Sequence, residues 1–537
     1  MPRAELLPTL RIAAICAAMC LAGCAPAGPA RIHLGPDVHI PRRSAVIFFV
    51  DGLDLTRLDA GIAAGELPNI AERFVRGGVR VTNAIASMPS NTYPNTVSLL
   101  TGQFPGHHGI LGNRWFDRYE ARIERYTTAI TFQNANEHFR AATLFEMLSD
   151  QLTVAVQLHT RRGATVALED LITGGLIWLF GGYERFDSRP AEYLTRIAAI
   201  ANRTRRWPTL IVNYFPGIDE IGHRFGEDSD AYSSALHTID GQIGRITSAL
   251  DHAGLSDSTY FVLVSDHGLV DHDPSVFLDV PDWLRRERDM QVYTGQLRKQ
   301  AFAARVAKID PFDAIVINGV YRRCAIHLRG PRGWHELPDP VLVAEIATGG
   351  LQQHPAVEFV TFQDSSRSIR VISRTAGALV ERRTDNAGVN EYRLIAEYGD
   401  PLGISEDAAL QAFVAAGWHS SREWLAATAA TRYPDFVPQI SEMFDSHRAG
   451  DIVLFASDRG AFELNGKAGH GSCLADDMRV PMFFSGPDLP RGGRIEYARS
   501  LDLTPTVLEL LGEPPPAGPI DGISIAERLR NAATTTP

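Results

Sequence analysis

Four separated stretches of this 537-residue chain carry aspartate and histidine at spacings that suit a bound cation. "DEIGH" sets Asp219 and His223 four residues apart, so one turn of chain can point both at one centre. "SDHG" places Asp266 beside His267 directly after an apolar run, and "FFVDG" contributes Asp51 in the same kind of position. "GHGS" holds His470 between glycines, where backbone can approach closely. Imidazole and carboxylate together suit zinc and its neighbours. Each stretch also has an ordinary reading: a turn after a strand, a polar loop, a solvated helix pair. Four independent loops at one end of a sheet rarely all carry ligand-type residues by accident.

A fifth stretch, "MPSNTYPNTVSLLTG" (88–102), runs from hydroxyls and prolines into an apolar helix. Ser90, Asn91 or Thr92 can cap that helix, with Pro94 in its first turn. Alternatively, one of these hydroxyls is a nucleophile.

The elements that must position these residues follow from apolar patterning. "SAVIFFVDG" (44–52) reads as a buried strand ending in a carboxylate. Comparable runs recur as "TVAVQLH" (153–159), "TLIVNYF" (209–215), "TYFVLVSDHG" (259–268), "DIVLFASD" (451–458) and "VPMFFSG" (480–486). Helical patterns separate several of them, such as "AYSSALHTIDGQIGRITSALDHAG". The alternation predicts an α/β fold with a mostly parallel central sheet flanked by helices. Ligands of such sheets gather beyond the carboxyl ends of the strands. From about 276 to 450 the rhythm breaks, and "SIRVISRTAGALVERRTDNAGVNEYRLIAEYGD" reads as β-hairpins in an inserted α+β cap domain. The organisation expected is a catalytic core over 44–275 and 451–530, a cap over 276–450 and a disordered tail over 531–537.

Apolar residues make up 45% and charged residues 21% of the chain, a globular composition. The net charge of −11 and the absence of a Lys/Arg-rich run argue against a nucleic-acid polymer as partner. A small anionic substrate remains open if local cations neutralise it. At the N-terminus, Arg3 and Arg11 precede "IAAICAAMCL", too short to span a bilayer, followed by "LAGC". That end resembles a bacterial lipobox. It implies a signal peptide over 1–23, a lipid anchor at Cys24, a Pro/Gly/Ala-rich tether over 24–43 and a periplasmic location. Ala25 after the cysteine points to the outer membrane. Cys324 and Cys473 could pair in an oxidising compartment.

Taken in order, "VDG", "PSNTYPN", "TG-x-x-P-x-x-HGI-x-x-N", "D-x-x-GH-x-x-G", "SDHG" and "GHGS" resemble the alkaline phosphatase superfamily. The resemblance is to its type I phosphodiesterase/nucleotide pyrophosphatase branch, over roughly 44–275 and 451–525. It implies an alkaline-phosphatase-like fold and a small phosphate-ester substrate. It also implies two divalent metal ions, expected to be zinc. Asp219, His223 and His470 would hold one, and Asp51, Asp266, His267 and Thr92 the other. Thr92 would be the catalytic nucleophile, Asn113 would hydrogen-bond a phosphoryl oxygen, and Asn95 would be structural. Two cations about 4 Å apart can clamp an in-line displacement at phosphorus, with a phospho-threonine intermediate. By this reading the helix start at Thr92 serves the chemistry, while Ser90 or Asn91 caps.

The resemblance leaves the substrate open. A diesterase needs an apolar pocket for the second ester group, a monoesterase extra cations for the added charge. In "LHTRRGATVALEDLITGGLIWLF" (158–180), Thr160 stands where the threonine-nucleophile monoesterases carry lysine, and Arg162 matches their arginine. Arg162 is therefore a candidate phosphate ligand, or a plain surface arginine. Tyr93 is a candidate to stack on a base or aryl group, and Trp178 is read mainly as core. The alternatives are a periplasmic phosphomonoesterase, a phosphoryl-group transferase, or a non-catalytic binding lipoprotein. A sulfatase is disfavoured because no C/S-x-P-x-R motif stands at the nucleophile turn.

Overall fold

A computed structural model describes residues 31–128, 130–169, 182–295, 297 and 301–534. The proposed signal peptide with Cys24, the start of the tether, and Trp178 lie outside the described residues. Strand Ser44–Val50 is the centre of a ten-stranded sheet. It pairs in parallel with Leu210–Phe215 on one side and Thr259–Ser265 on the other. Thr153–Val156 and Val166–Leu168 extend the parallel run. Beyond Thr259–Ser265, Met482–Ser485 enters antiparallel, followed by Gly78–Ile85 and Gly493–Arg499. The sheet is thus mostly parallel, as the alternating pattern predicts.

All seven residues of Ser44–Val50 are buried because helices cover both faces. Val46, Phe48 and Val50 pack with Leu194 and Ile197, and with Ile239, Ile243 and Ile246 of helix Asp230–His252. The intervening Ala45, Ile47 and Phe49 pack with Leu99 and Leu100, and with Val507 and Leu508 of helix Leu503–Leu511. Period-two alternation along one strand therefore feeds two separate cores.

The second sheet has nine strands, nearly all antiparallel. The expected hairpins form as Ser368–Ile372, Gly377–Thr384 and Asn390–Tyr398. The run 451–458 corrects one expectation. It forms strand Ile452–Ala456, but in the second sheet, between Arg323–Leu328 and Val357–Ser365. An all-apolar run fits any strand covered on both faces, and here helices Val280–Arg288 and Phe436–Met443 belong to the two covers. Within the tail expected to be disordered, Ala533–Thr534 pairs with Gly493–Arg494 at the edge of the first sheet. Cys324 and Cys473 are both buried and unbridged.

Candidate metal centre

Parallel strands deliver their following residues to one edge. Asp51 follows the central strand, Asp266 and His267 follow its neighbour, and helix Gly217–Phe225 follows strand Leu210–Phe215. That helix sets Asp219 and His223 on one face, with Oδ2 and Nε2 3.2 Å apart. His470 arrives from the far end of the sequence, its N–H donated to the Val320 carbonyl at 3.2 Å. The result is two buried clusters, Asp219/His223/His470 and Asp51/Asp266/His267, each with ligand atoms within 4.8 Å of one another. The family resemblance implies the same two groupings, with Thr92 added to the second.

The imidazoles are oriented for coordination. Nδ1 of His223, His267 and His470 lies 2.8, 2.9 and 2.8 Å from the carbonyls of Ala468, Gly268 and Ser90. A carbonyl can only accept, so each Nδ1 carries a proton and Nε2 is the nitrogen left to coordinate when the ring is neutral. The His267 and His470 rings stack with centroids 3.5 Å apart. Asp51 Oδ1, Asp219 Oδ1, Asp266 Oδ2 and His470 Nε2 are buried with no hydrogen-bond partner among the described residues. Gly52 completes the cradle: at φ 59°, a Cβ there would lie 2.5 Å from Asp219 Oδ1. Unsatisfied carboxylate oxygens and an imidazole nitrogen converging in a buried site fit a divalent cation.

The electrostatics agree. Burial, then the charge of Asp51, pushes the Asp266 carboxyl well above the usual range. Burial and Asp219 raise Asp51. Burial opposes ionisation of Asp219 too, but His223 overrides it and holds Asp219 low. Burial would lower both His223 and His267. The charge and hydrogen bond of Asp219 instead raise His223 to about 9, and Asp266 with Asp51 raises His267 to about 10. Burial and the repulsion of His267 depress His470. Three carboxylates at this density demand positive charge. A divalent cation would take the place of protons on the imidazoles.

Thr92 opens helix Thr92–Thr101, and its Oγ1 lies 3.2 Å from His267 Nε2. Asn113 Nδ2 approaches the same oxygen at 3.4 Å, while Asn113 Oδ1 accepts from the Tyr93 N–H at 3.0 Å. Neither expected side-chain cap forms. Asn91 is the N-cap by position but makes no capping hydrogen bond, and Ser90 Oγ donates to the Ser472 carbonyl. Of the first turn, the Tyr93 N–H is taken by Asn113 and Pro94 has none, so no side chain among the described residues caps the Thr92 N–H. Asn95 is structural: its amide donates to the carbonyls of Ser87, Pro89 and Asn91.

A cavity of about 1260 Å³ opens over Asp51, Thr92, Asn113, Asp219 and His223. Tyr93 lines it but is largely buried, its ring 4.2 Å from His159 and 4.6 Å from Tyr126. The Tyr93 hydroxyl donates to the carbonyls of Phe132 and Tyr126, so only an edge or face of this ring is offered. Arg162 also lines the cavity, but its guanidinium is engaged by Glu146 and by the carbonyls of Phe139 and Ala141. The candidate phosphate ligand is thus a loop anchor, since a donor ringed by protein acceptors has little left for a substrate. Sequence reasoning missed Tyr214, His159 and Tyr321. Tyr214 Oη donates to Asp51 Oδ2, and its ring packs on Phe49 and His159. Its position inside the run "TLIVNYF" beside a sheet edge is the only signal, and it reads as core.

Comparison with known proteins places this geometry among relatives. The family model described as type I phosphodiesterase / nucleotide pyrophosphatase matches residues 45–325. Ectonucleotide pyrophosphatase/phosphodiesterase 2 of Saccharomyces cerevisiae is 26% identical over 241 residues, 42% of this chain and 47% of the relative. Bis(5'-adenosyl)-triphosphatase enpp4 of Xenopus laevis is 26% identical over 216 residues, 38% of this chain and 43% of the relative. The matched region spans less than half the length of these curated relatives. Among solved structures, murine ectonucleotide pyrophosphatase/phosphodiesterase 5 aligns at TM-score 0.56 and 16% identity, covering 91% of this chain and all of its own. An inactive variant of that protein in complex with AMP aligns at TM-score 0.55, with 15% identity, over 90% of this chain and 99% of its own. These similarities show a shared alkaline-phosphatase-like fold.

Proposed function

The chain belongs to the type I phosphodiesterase/nucleotide pyrophosphatase family, and we propose that it hydrolyses small phosphodiesters or nucleotide anhydrides with Thr92 as nucleophile. The observation that carries the reading is the placement of Thr92 Oγ1, 3.2 Å from His267 Nε2, beside two clusters of unpartnered ligand atoms. Asp219, His223 and His470 would hold one divalent cation and Asp51, Asp266 and His267 with Thr92 the other, zinc being favoured by the donor set. Such cations supply the charge that makes a hydroxyl acidic and offsets the anionic phosphoryl group.

The chain's own residues do the rest. Thr92 Oγ1 attacks phosphorus; the new Oγ–P bond forms as the bond to the leaving oxygen breaks, giving a phospho-threonine. Water then cleaves that intermediate and returns Thr92. Asn113 Nδ2, already 3.4 Å from Oγ1, is set to donate to a phosphoryl oxygen. The start of helix Thr92–Thr101, where Thr92 sits, adds a favourable dipole. Engagement of Arg162 by Glu146 and backbone carbonyls supports a diester over a monoester, which needs an additional free cation. The lipobox reading adds export and a lipid anchor at Cys24, testable by mass spectrometry of the purified N-terminus.

The test compares the p-nitrophenyl ester of thymidine 5′-monophosphate with p-nitrophenyl phosphate on zinc-supplied protein. Faster diester cleavage is expected, and Thr92→Ala is expected to abolish it while both metals stay bound. Turnover by that variant at the native rate would remove Thr92 from the mechanism.

A further inference from the structure

The turn between strands Ala314–Gly319 and Arg323–Leu328 reaches from the second sheet into the site carried by the first. Its residues Val320 and Tyr321 have φ of 44° and 73°, and neither is glycine. A β-branched residue is a rare occupant of that region. Such strain persists where surrounding contacts over-determine it, and it gathers at functional sites. Here the contacts are to the ligand-bearing loop. The His470 N–H donates to the Val320 carbonyl, the Phe462 N–H donates to the Tyr321 carbonyl at 2.7 Å, and the Tyr321 ring sits 5.2 Å from that of His223. Gly469 makes room for it, since a Cβ there would lie 2.7 Å from Tyr321 Cβ. Val320 and Tyr321 both line the cavity that holds Thr92.

A line of contacts joins the two. Thr92 Oγ1 is 3.2 Å from His267, the His267 and His470 rings are 3.5 Å apart, His470 and His223 5.2 Å, and His223 and Tyr321 5.2 Å. Three histidines thus separate Thr92 from Tyr321 along the wall of the cavity that both line, and Tyr321 adjoins the Asp219/His223/His470 cluster rather than the one beside Thr92. In-line displacement sends the leaving group to the side away from the attacking oxygen. We infer that Tyr321 is a specificity-determining residue whose ring contacts the leaving group of the ester, and that it selects leaving alcohols bearing a planar ring over a bare phosphate. The inference rests on Thr92 being the nucleophile. An aromatic face rewards a flat, weakly polar partner. Glu463 and Glu220 line the same cavity as Tyr321, which disfavours a second phosphate there. Arg114, a cation lining the same cavity, donates to the carbonyls of Thr294 and Gly295.

The experiment measures kcat/KM for the full-length zinc protein and its Tyr321→Ala and Tyr321→Phe variants on three substrates. The p-nitrophenyl ester of thymidine 5′-monophosphate and bis(p-nitrophenyl) phosphate share a leaving group. The thymidine ester and thymidine 5′-triphosphate share the retained phosphoryl group. Tyr321→Ala is expected to cost about tenfold on both p-nitrophenyl substrates and less than about threefold on the triphosphate. Tyr321→Phe, which keeps the ring, is expected to retain the native preference. An equal loss on all three substrates, a loss that follows the shared thymidine, or no loss would each overturn the inference. Metal content and circular dichroism check each variant. Should the alanine variant unfold, Tyr321→Leu, closer in volume, decides in its place. A native protein inert towards all three substrates would refute the phosphodiesterase reading itself, and the inference with it.

Discussion

Tyr214→Phe isolates one hydrogen bond without touching a ligand. Tyr214 Oη donates to Asp51 Oδ2, while Asp51 Oδ1 makes no hydrogen bond among the described residues and faces His267 Nε2 at 3.2 Å. Both residues are almost completely buried, so the bond is shielded from bulk solvent. The phenyl ring keeps its packing on Phe49 at 5.0 Å and on His159 at 5.1 Å, so the fold should be unaffected. A hydrogen bond to a buried charged group is worth about 1.5–3 kcal/mol. At about 1.4 kcal/mol per decade, that is a ten- to hundredfold weaker affinity for the cation that Asp51, Asp266 and His267 would hold. The Tyr214 bond also opposes the upward push that burial exerts on the Asp51 carboxyl, so the deficit should widen as pH falls. The assay is zinc titration of metal-free protein against a chromophoric chelator, which resolves the two equivalents. One equivalent should weaken while the other holds. Unchanged affinity for both, or selective weakening at the Asp219 cluster, would sink the reasoning.

Other outcomes follow from the same geometry. Asp219→Ala and His470→Ala should each cost one metal equivalent by elemental analysis, and two full equivalents in either variant would refute the assignment. Arg162→Ala should lower stability by ~1–2 kcal/mol through loss of the Glu146, Phe139 and Ala141 contacts, yet leave kcat within about threefold; thermal melts and kinetics check both. His107 sits among Glu442, Asp445 and Asp521, and although burial opposes its charge, these carboxylates raise it to about 12. A raised value means stabilisation that is complete below the unfolded value, about 6.5, and lost as pH climbs towards 12. The Tm gap between native protein and His107→Gln should therefore be largest near pH 6 and shrink steadily at alkaline pH.

Much of the site was legible because its chemistry is local in sequence. A carboxylate after an apolar run, an Asp–His pair one turn apart, and a histidine between glycines are each readable within five residues. The side chains that the resemblance groups lie together in two clusters that could hold a metal ion. The capping of Thr92 was misread because Ser90 and Asn91 can cap by type, yet Ser90 is drawn away by the Ser472 carbonyl 382 residues on. Arg162 was ambiguous for the same reason. An arginine's partner is chosen by what the fold places beside it, and here that is Glu146 and two carbonyls from an upstream loop. The run 451–458 was recognised as a strand but assigned to the wrong sheet, since burial on both faces leaves the same apolar signature in either.

By itself, then, the sequence determined the element types of the core, the end of the sheet at which chemistry gathers, and the residues that can hold cations. Those follow from short-range rules: strand period, helix period and ligand spacing. Tertiary structure alone decided which carbonyl fixes each imidazole, that Tyr214 braces Asp51, and that the strained Val320–Tyr321 turn of the second sheet faces the site. These are contacts between segments far apart in the chain. Their energies depend on burial and direction, which no local pattern encodes.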